Sequence, residues 1–142
     1  MRILAVDPGQ KNIGLALSDE TATIASPLTV IQHIKREIDA AQVAAIAAEN
    51  NVELIVIGQS LDENGKPNFE GRRSSRFAKA LRLQTDLRVK LWDESYSTQD
   101  ARQARIQMGV SRKKRAGHLD DIAATIILQS YLDANKPVIS DS

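Results

Sequence analysis

Residues 3–6 form a short continuous apolar run, Ile-Leu-Ala-Val, that stops at Asp7. The turn sequence Asp7-Pro-Gly-Gln-Lys-Asn follows, and then Ile13-Gly-Leu-Ala-Leu-Ser, so the pattern predicts a β-hairpin. Residues 21–31 predict a third strand and an antiparallel meander. Pro27 near its middle marks an edge position or a break, because proline cannot donate to a ladder. Over residues 35–50 the apolar positions Ile38, Ala41, Val43, Ala45 and Ile46 are compatible with a helix stopped by Asn50-Asn51. Leu54-Ile-Val-Ile-Gly then reads as a strand buried on both faces.

Residues 59–70, with Asn64-Gly65 and Pro67, predict a loop at the carboxyl end of that strand, where open α/β sheets favour ligands. A helix is predicted over residues 69–83, with Phe77, Ala80 and Leu81 inward and Arg73 and Arg76 more exposed, followed by a strand over 87–93. Ser97 or Thr98 caps a further predicted helix that runs to about Met108 and breaks at Gly109. A basic loop, 111–117, leads into a last helix over 119–134. The order β-β-β-α-β-α-β-α-α predicts one α/β domain over residues 1–134, a mixed five-stranded sheet flanked by helices, with a loose tail at 135–142.

Composition narrows the chemistry. A chain of 142 residues with 42% hydrophobic content suits one domain, which at that size buries roughly two thirds of its unfolded surface. There is no cysteine, so disulfides and thiolate metal sites are excluded, and His33 and His118 alone leave little scope for a histidine-built zinc centre. A bound metal is therefore expected to be held by oxygen. The start of the chain lacks the layout of a signal peptide, and no apolar run approaches the roughly 18 residues of a membrane span, so a cytoplasmic location is expected.

Overall, 19 basic and 18 acidic residues nearly cancel, but they are unevenly placed. Residues 101–117 hold Arg102, Arg105, Arg112, Lys113, Lys114 and Arg115 with no acidic residue among them, and Arg72, Arg73 and Arg76 form a second cluster. Each cluster alone fits a solvated surface as well as a row of phosphate contacts. The carboxylates tip the balance. Asp7 closes the first strand, Glu94 follows Val89-Lys-Leu-Trp-Asp, and Asp120 opens the last helix beside Asp121. Taken singly they read as a turn residue, a solvated strand end and a helix-dipole partner. A mixed sheet with parallel first and fourth strands brings these ends to one rim. Clustered carboxylates repel one another there until a hard cation such as Mg²⁺ or Mn²⁺ neutralises them.

Four segments, Asp7-Pro-Gly-Gln-Lys-Asn-Ile-Gly-Leu-Ala, Ile57-Gly-Gln-Ser-Leu-Asp-Glu-Asn-Gly, Asp93-Glu-Ser-Tyr-Ser-Thr and His118-Leu-Asp-Asp-Ile-Ala-Ala, together resemble the YqgF family, also called RuvX. Its members are pre-16S rRNA nucleases, earlier proposed as Holliday junction resolvases. The resemblance spans nearly the whole chain and implies an RNase H-like fold with metal-dependent phosphodiester hydrolysis. It sets Asp7, Glu94 and Asp120 at the family's acidic triad, holding Mg²⁺ or Mn²⁺, with Asp7 as the bridging ligand if two metals bind. Lys11, Arg73, Arg76, Arg112, Lys113, Lys114 and Arg115 are then the candidate contacts to structured RNA or branched DNA. A ribosomal precursor particle is the implied partner, and the expected state is a monomer or weak homodimer. Two departures stand out: Ser95 replaces the family's usual arginine after the triad glutamate, and Gln59-Ser60 replaces Leu-Pro after the glycine of the buried strand. The competing classes are a junction resolvase with the same chemistry, a non-catalytic nucleic-acid-binding module, and one lobe of an actin-like sugar kinase, which needs two lobes.

Overall fold

The computed structural model describes residues 1–94 and 119–136, with side chains of the last helix from Ile122 onward. The first three strands are β1 (Arg2–Pro8), β2 (Asn12–Ser18) and β3 (Ala25–Gln32), followed by α1 (Arg36–Glu49) and β4 (Val52–Gln59). Then come α2 (Phe69–Arg82), β5 (Arg88–Asp93) and the helix numbered α3 (Leu119–Ala134). The strands make one mixed sheet in the order β3-β2-β1-β4-β5. The predicted helix over residues 97–108 and the basic loop 111–117 lie outside the described residues. Among the described residues, no helix is long and apolar enough to cross a membrane.

β1 and β2 pair antiparallel, with Asp7 opposite Gly14, and Gly9 N–H closes their turn on the Asn12 carbonyl at 3.0 Å. β1 pairs parallel with β4, and β4 with β5, so all three strands end on the same rim. Pro27 lies on the edge strand β3, beside a register shift at Leu15/Ala16. The third strand begins at Ala25, later than predicted, because residues 19–24 form a turn. Asp19 accepts from the Thr23 and Ile24 amides at 2.8 and 3.0 Å. Ala22 sits there at φ 55°, a left-handed conformation that alanine seldom adopts and that no local sequence signal announces.

Strand alternation divides the core in two. Leu4, Val6, Ile55 and Ile57 face α1 and α2, packing with Val43, Ala47, Phe77 and Leu81. α1 buries Ala40, Val43 and Ala47, while Ile38 remains exposed. On the other face Ile3, Ala5, Leu54 and Val56 receive Ala124, Ile127, Leu128, Tyr131 and Leu132. That three-and-four spacing is one continuous helical stripe, and Ala5 and Ala16 leave room beneath it. Its burial fixes where α3 begins.

Candidate active site at the carboxyl rim

Asp7 shares the strand parity of Ile3 and Ala5, Gly58 that of Leu54 and Val56, and Glu94 that of Lys90 and Trp92. All three positions therefore fall on the α3 face of the rim where the parallel strands end. The residue level with Gly58 on β5 is Trp92, and Val6, just before Asp7, pairs with Ile57. β1 and β5 flank β4, so their backbones stand about 10 Å apart, two strand spacings. The two carboxylates approach each other only over the strand between them.

Gly58 leaves Glu94 room over that strand. A Cβ added at Gly58 would stand 3.3 Å from Glu94 Oε2 and 2.5 Å from the Cδ1 atom of Ile127. The longer acid thus leans across β4 from the outer strand, into space that any side chain at Gly58 would fill. The sequence reading did not single out this glycine. Its signal was a glycine inside an otherwise apolar, β-branched strand, which marks close approach by another group.

α3 begins at this rim. Ile127 lies against Gly58, and one turn later Tyr131 packs edge-on to Trp92, with ring centroids 5.2 Å apart and planes at 86°. Gln129 Oε1 accepts from the Ala25 amide at 2.9 Å and Gln129 Nε2 donates to the Thr23 carbonyl at 3.0 Å, where β3 starts across β2 from the amino end of β1. The helix therefore runs from the carboxyl rim towards the amino rim, and its first residues, Leu119 and Asp120, belong to the carboxyl rim. The side chains of Asp120 and Asp121 lie outside the description.

Burial pushes the Glu94 carboxyl above its ordinary range, with further upward contributions from the charges of Asp93 and Glu70. Glu70 stands in the first turn of α2 and pairs with Arg73, whose guanidinium also lies 5.8 Å over the Phe69 ring. Arg73 is thus partly engaged, whereas Arg76 is exposed and Lys11 lies exposed in the β1–β2 turn. Arg112, Lys113, Lys114, Arg115 and Ser95 fall outside the described residues.

The departure at Gln59-Ser60 has a physical account. Gln59, buried at 8% exposure, donates from Nε2 to the Gly71 carbonyl at 3.0 Å and to Ser75 Oγ at 2.6 Å. Asn68 caps α2 by accepting from Gly71 N–H at 2.8 Å and donates to Ser60 Oγ at 2.6 Å. Ser74 Oγ donates to the Gly58 carbonyl at 2.7 Å. These bonds hold the end of β4, and so Gly58, against the start of α2.

Residues 1–134 match the family RuvX, described as Holliday junction resolvase. The chain belongs to the RuvX family. A RuvX relative from Desulforamulus reducens, named "Putative pre-16S rRNA nuclease", is 40% identical over 134 residues, 94% of this chain and 98% of the relative. The fold is that of RuvC, an RNase H-like resolvase. T. thermophilus RuvC in complex with a Holliday junction superposes with TM-score 0.62 at 17% identity, covering 94% of both chains. Fowlpox virus resolvase with its junction DNA superposes with TM-score 0.59 at 18% identity, covering 96% of this chain and 100% of that one.

The donor set of this RuvX chain fits a hard divalent cation. It offers carboxylate oxygens and no thiolate, and it places Asp7 and Glu94 on one face where burial already disfavours the charge on Glu94.

Proposed function

We propose that this chain is a divalent-metal-dependent endonuclease that processes the 5′ end of precursor 16S rRNA. The reach of Glu94 over Gly58, on the α3 face of the rim to which strand parity also assigns Asp7 and where α3 begins near Asp120, carries this reading. The name of the Desulforamulus reducens relative supports the RNA substrate. Asp7, Glu94 and Asp120 would hold Mg²⁺ or Mn²⁺, which would supply positive charge at a scissile phosphate and a lowered pKa for a bound water. The chain's own part is to fix those oxygens. Gly58 admits Glu94, the Gln59 and Ser74 bonds hold β4, and the α3 stripe sets the helix start. Lys11, Arg76 and the run Arg112, Lys113, Lys114 and Arg115 then hold the backbone without reading sequence.

A second reading, Holliday junction resolution, is favoured by the family description and by two structural neighbours solved on junction DNA. A non-catalytic binding module has no need of both rim carboxylates. The deciding experiment compares cleavage of a precursor 16S rRNA fragment with that of a four-way DNA junction, with Mg²⁺ or Mn²⁺ and with chelator. Metal-dependent trimming of the RNA that is lost in Asp7→Asn, Glu94→Gln and Asp120→Asn is expected, with Ca²⁺ inhibiting. Paired symmetric cuts in the junction by a dimer would establish the second reading instead. Undiminished cleavage in chelator would overturn both.

A further inference from the structure

The other side of the same rim holds a cleft of about 490 Å³ between the β1–β2 turn, the β3–α1 junction and α2. Its wall starts at Pro8, the residue after Asp7, whose Cα is therefore about 3.8 Å from that of Asp7. Alternation along β1 sends Asp7 to the α3 side and Pro8 to this one. Asp7 and this cleft therefore lie on opposite faces of β1.

Arg36, Arg73, Arg76 and His33 line the cleft. Arg73 is paired with Glu70, but neither Arg36 nor Arg76 makes a salt bridge among the described residues. Two acids also border the space. Glu37 is exposed on α1. Asp39 is 1% exposed and already used: its Oδ2 lies 2.5 Å from His33 Nδ1, and its Oδ1 accepts from the Ile34 amide at 3.0 Å. That bond fixes the imidazole through Nδ1, and Nε2 makes no hydrogen bond among the described residues. α1 also starts here, and Lys35 gives its first turn no side-chain cap, so the positive end of the helix adds to the field. Arg36 and Arg76 continue into a second groove of about 360 Å³ that leads along α1 and α2 to Lys79. The basic path is thus long, and a linear polyanion matches it better than one small anion.

We propose that this cleft seats the backbone phosphates of the substrate strand adjacent to the phosphate at Asp7 and Glu94, with Arg36, Arg76 and the Asp39-braced His33 as the contacts. The identity of the strand rests on the nuclease reading above; the cleft itself does not.

The test is a salt titration of affinity for a short single-stranded RNA, in chelator so that nothing is cleaved. It compares wild type, Arg36→Ala, Arg76→Ala, the double variant, and Arg88→Ala at the start of β5 as control. Each cleft arginine should contribute a log–log salt slope of about 0.7, lost on replacement, while the control retains the wild-type slope. The wild-type slope in the double variant would overturn the proposal, whatever the cleavage assay shows. Absent cleavage with a reduced slope would instead overturn the nuclease reading and leave the seat standing. NMR signals of the His33 ring supply a second readout. They should shift on adding the RNA in wild type and less in the double variant. A shift produced by inorganic phosphate with an unchanged RNA slope would show a small-anion site and would also overturn the proposal.

Discussion

Gly58 and Ile127 interlock so closely that a methyl group on the glycine would lie 2.5 Å from Ile127 Cδ1 and 3.2 Å from Cγ1. Ile127 is 3% exposed and belongs to the stripe that seats α3. Gly58→Ala must therefore displace the helix, the isoleucine or Glu94, whose Oε2 stands 3.3 Å from the same methyl position. The expected cost is about 1–2 kcal/mol, within the range for overpacking a core. Ile127→Val removes Cδ1 and alone should cost about 0.5–1.5 kcal/mol. The double variant should be more stable than the sum of the two by at least about 0.5 kcal/mol. Denaturant unfolding of the four proteins measures this, and strict additivity would show that the two residues do not meet.

Gly71 inverts an ordinary rule. A glycine in a helix is usually worse than alanine by about 1 kcal/mol. Here a Cβ would stand 2.0 Å from the Ser60 carbonyl oxygen and 3.2 Å from Pro67 Cβ. Backbone cannot rotate aside as a side chain can, so Gly71→Ala should cost at least about 2 kcal/mol. The substitution also disturbs the Gln59 bond to the Gly71 carbonyl that holds the end of β4. Activity should fall along with the melting temperature. A stabilised variant would show that the β4–α2 loop lies elsewhere in solution.

The contrast between these glycines and the carboxylates explains what the chain made legible. Asp7, Glu94 and Asp120 stand at the ends of periodic segments, so counting along the chain singles them out as candidates, and the parallel β1–β4–β5 arrangement puts the ends of β1 and β5 on one rim. α3 was readable to its ends for the same reason: its stripe repeats at three and four. Gly58 and Gly71 matter for what is missing from them, and only the neighbouring elements, Ile127 and Ser60, show why. The turn at residues 19–24 was hidden because Ala22 takes a conformation that its residue type disfavours. The His33–Asp39 pair joins the end of β3 to α1, a tertiary relationship that no local pattern records.

The Asp19 turn has its own acid signature. Hydrogen bonds from the Ile24 amide, the Thr21 hydroxyl and the Thr23 amide hold the Asp19 carboxyl well below the usual carboxylate range. A folded value below the unfolded one means that its contribution to stability is complete above the ordinary carboxylate pKa. It is lost as pH falls through the folded value. Asp19→Asn should therefore be less stable than wild type at neutral pH, and the gap should close under increasingly acid conditions. Urea unfolding across that range is the measurement, and a gap independent of pH would remove the charge from the explanation.

Glu94 shows the opposite sign. Its folded pKa is raised, first by burial and then by Asp93 and Glu70, so the metal-free fold disfavours the charged form. Stability from this group is fully present below the ordinary carboxylate pKa and declines as pH rises through the raised folded value. Glu94→Gln removes the decline, so the metal-free variant should melt higher than wild type at neutral pH while losing cleavage. A divalent cation held at the proposed site should reverse the balance by stabilising the charged carboxylates of the folded state. At about 100 times its Kd, Mg²⁺ or Mn²⁺ should stabilise wild type by about 2.7 kcal/mol. The variant, which lacks the carboxylate proposed as a ligand, should gain much less. Thermal melts of both proteins with chelator and with metal separate the two effects, and equal metal-induced shifts would remove Glu94 from the ligand set.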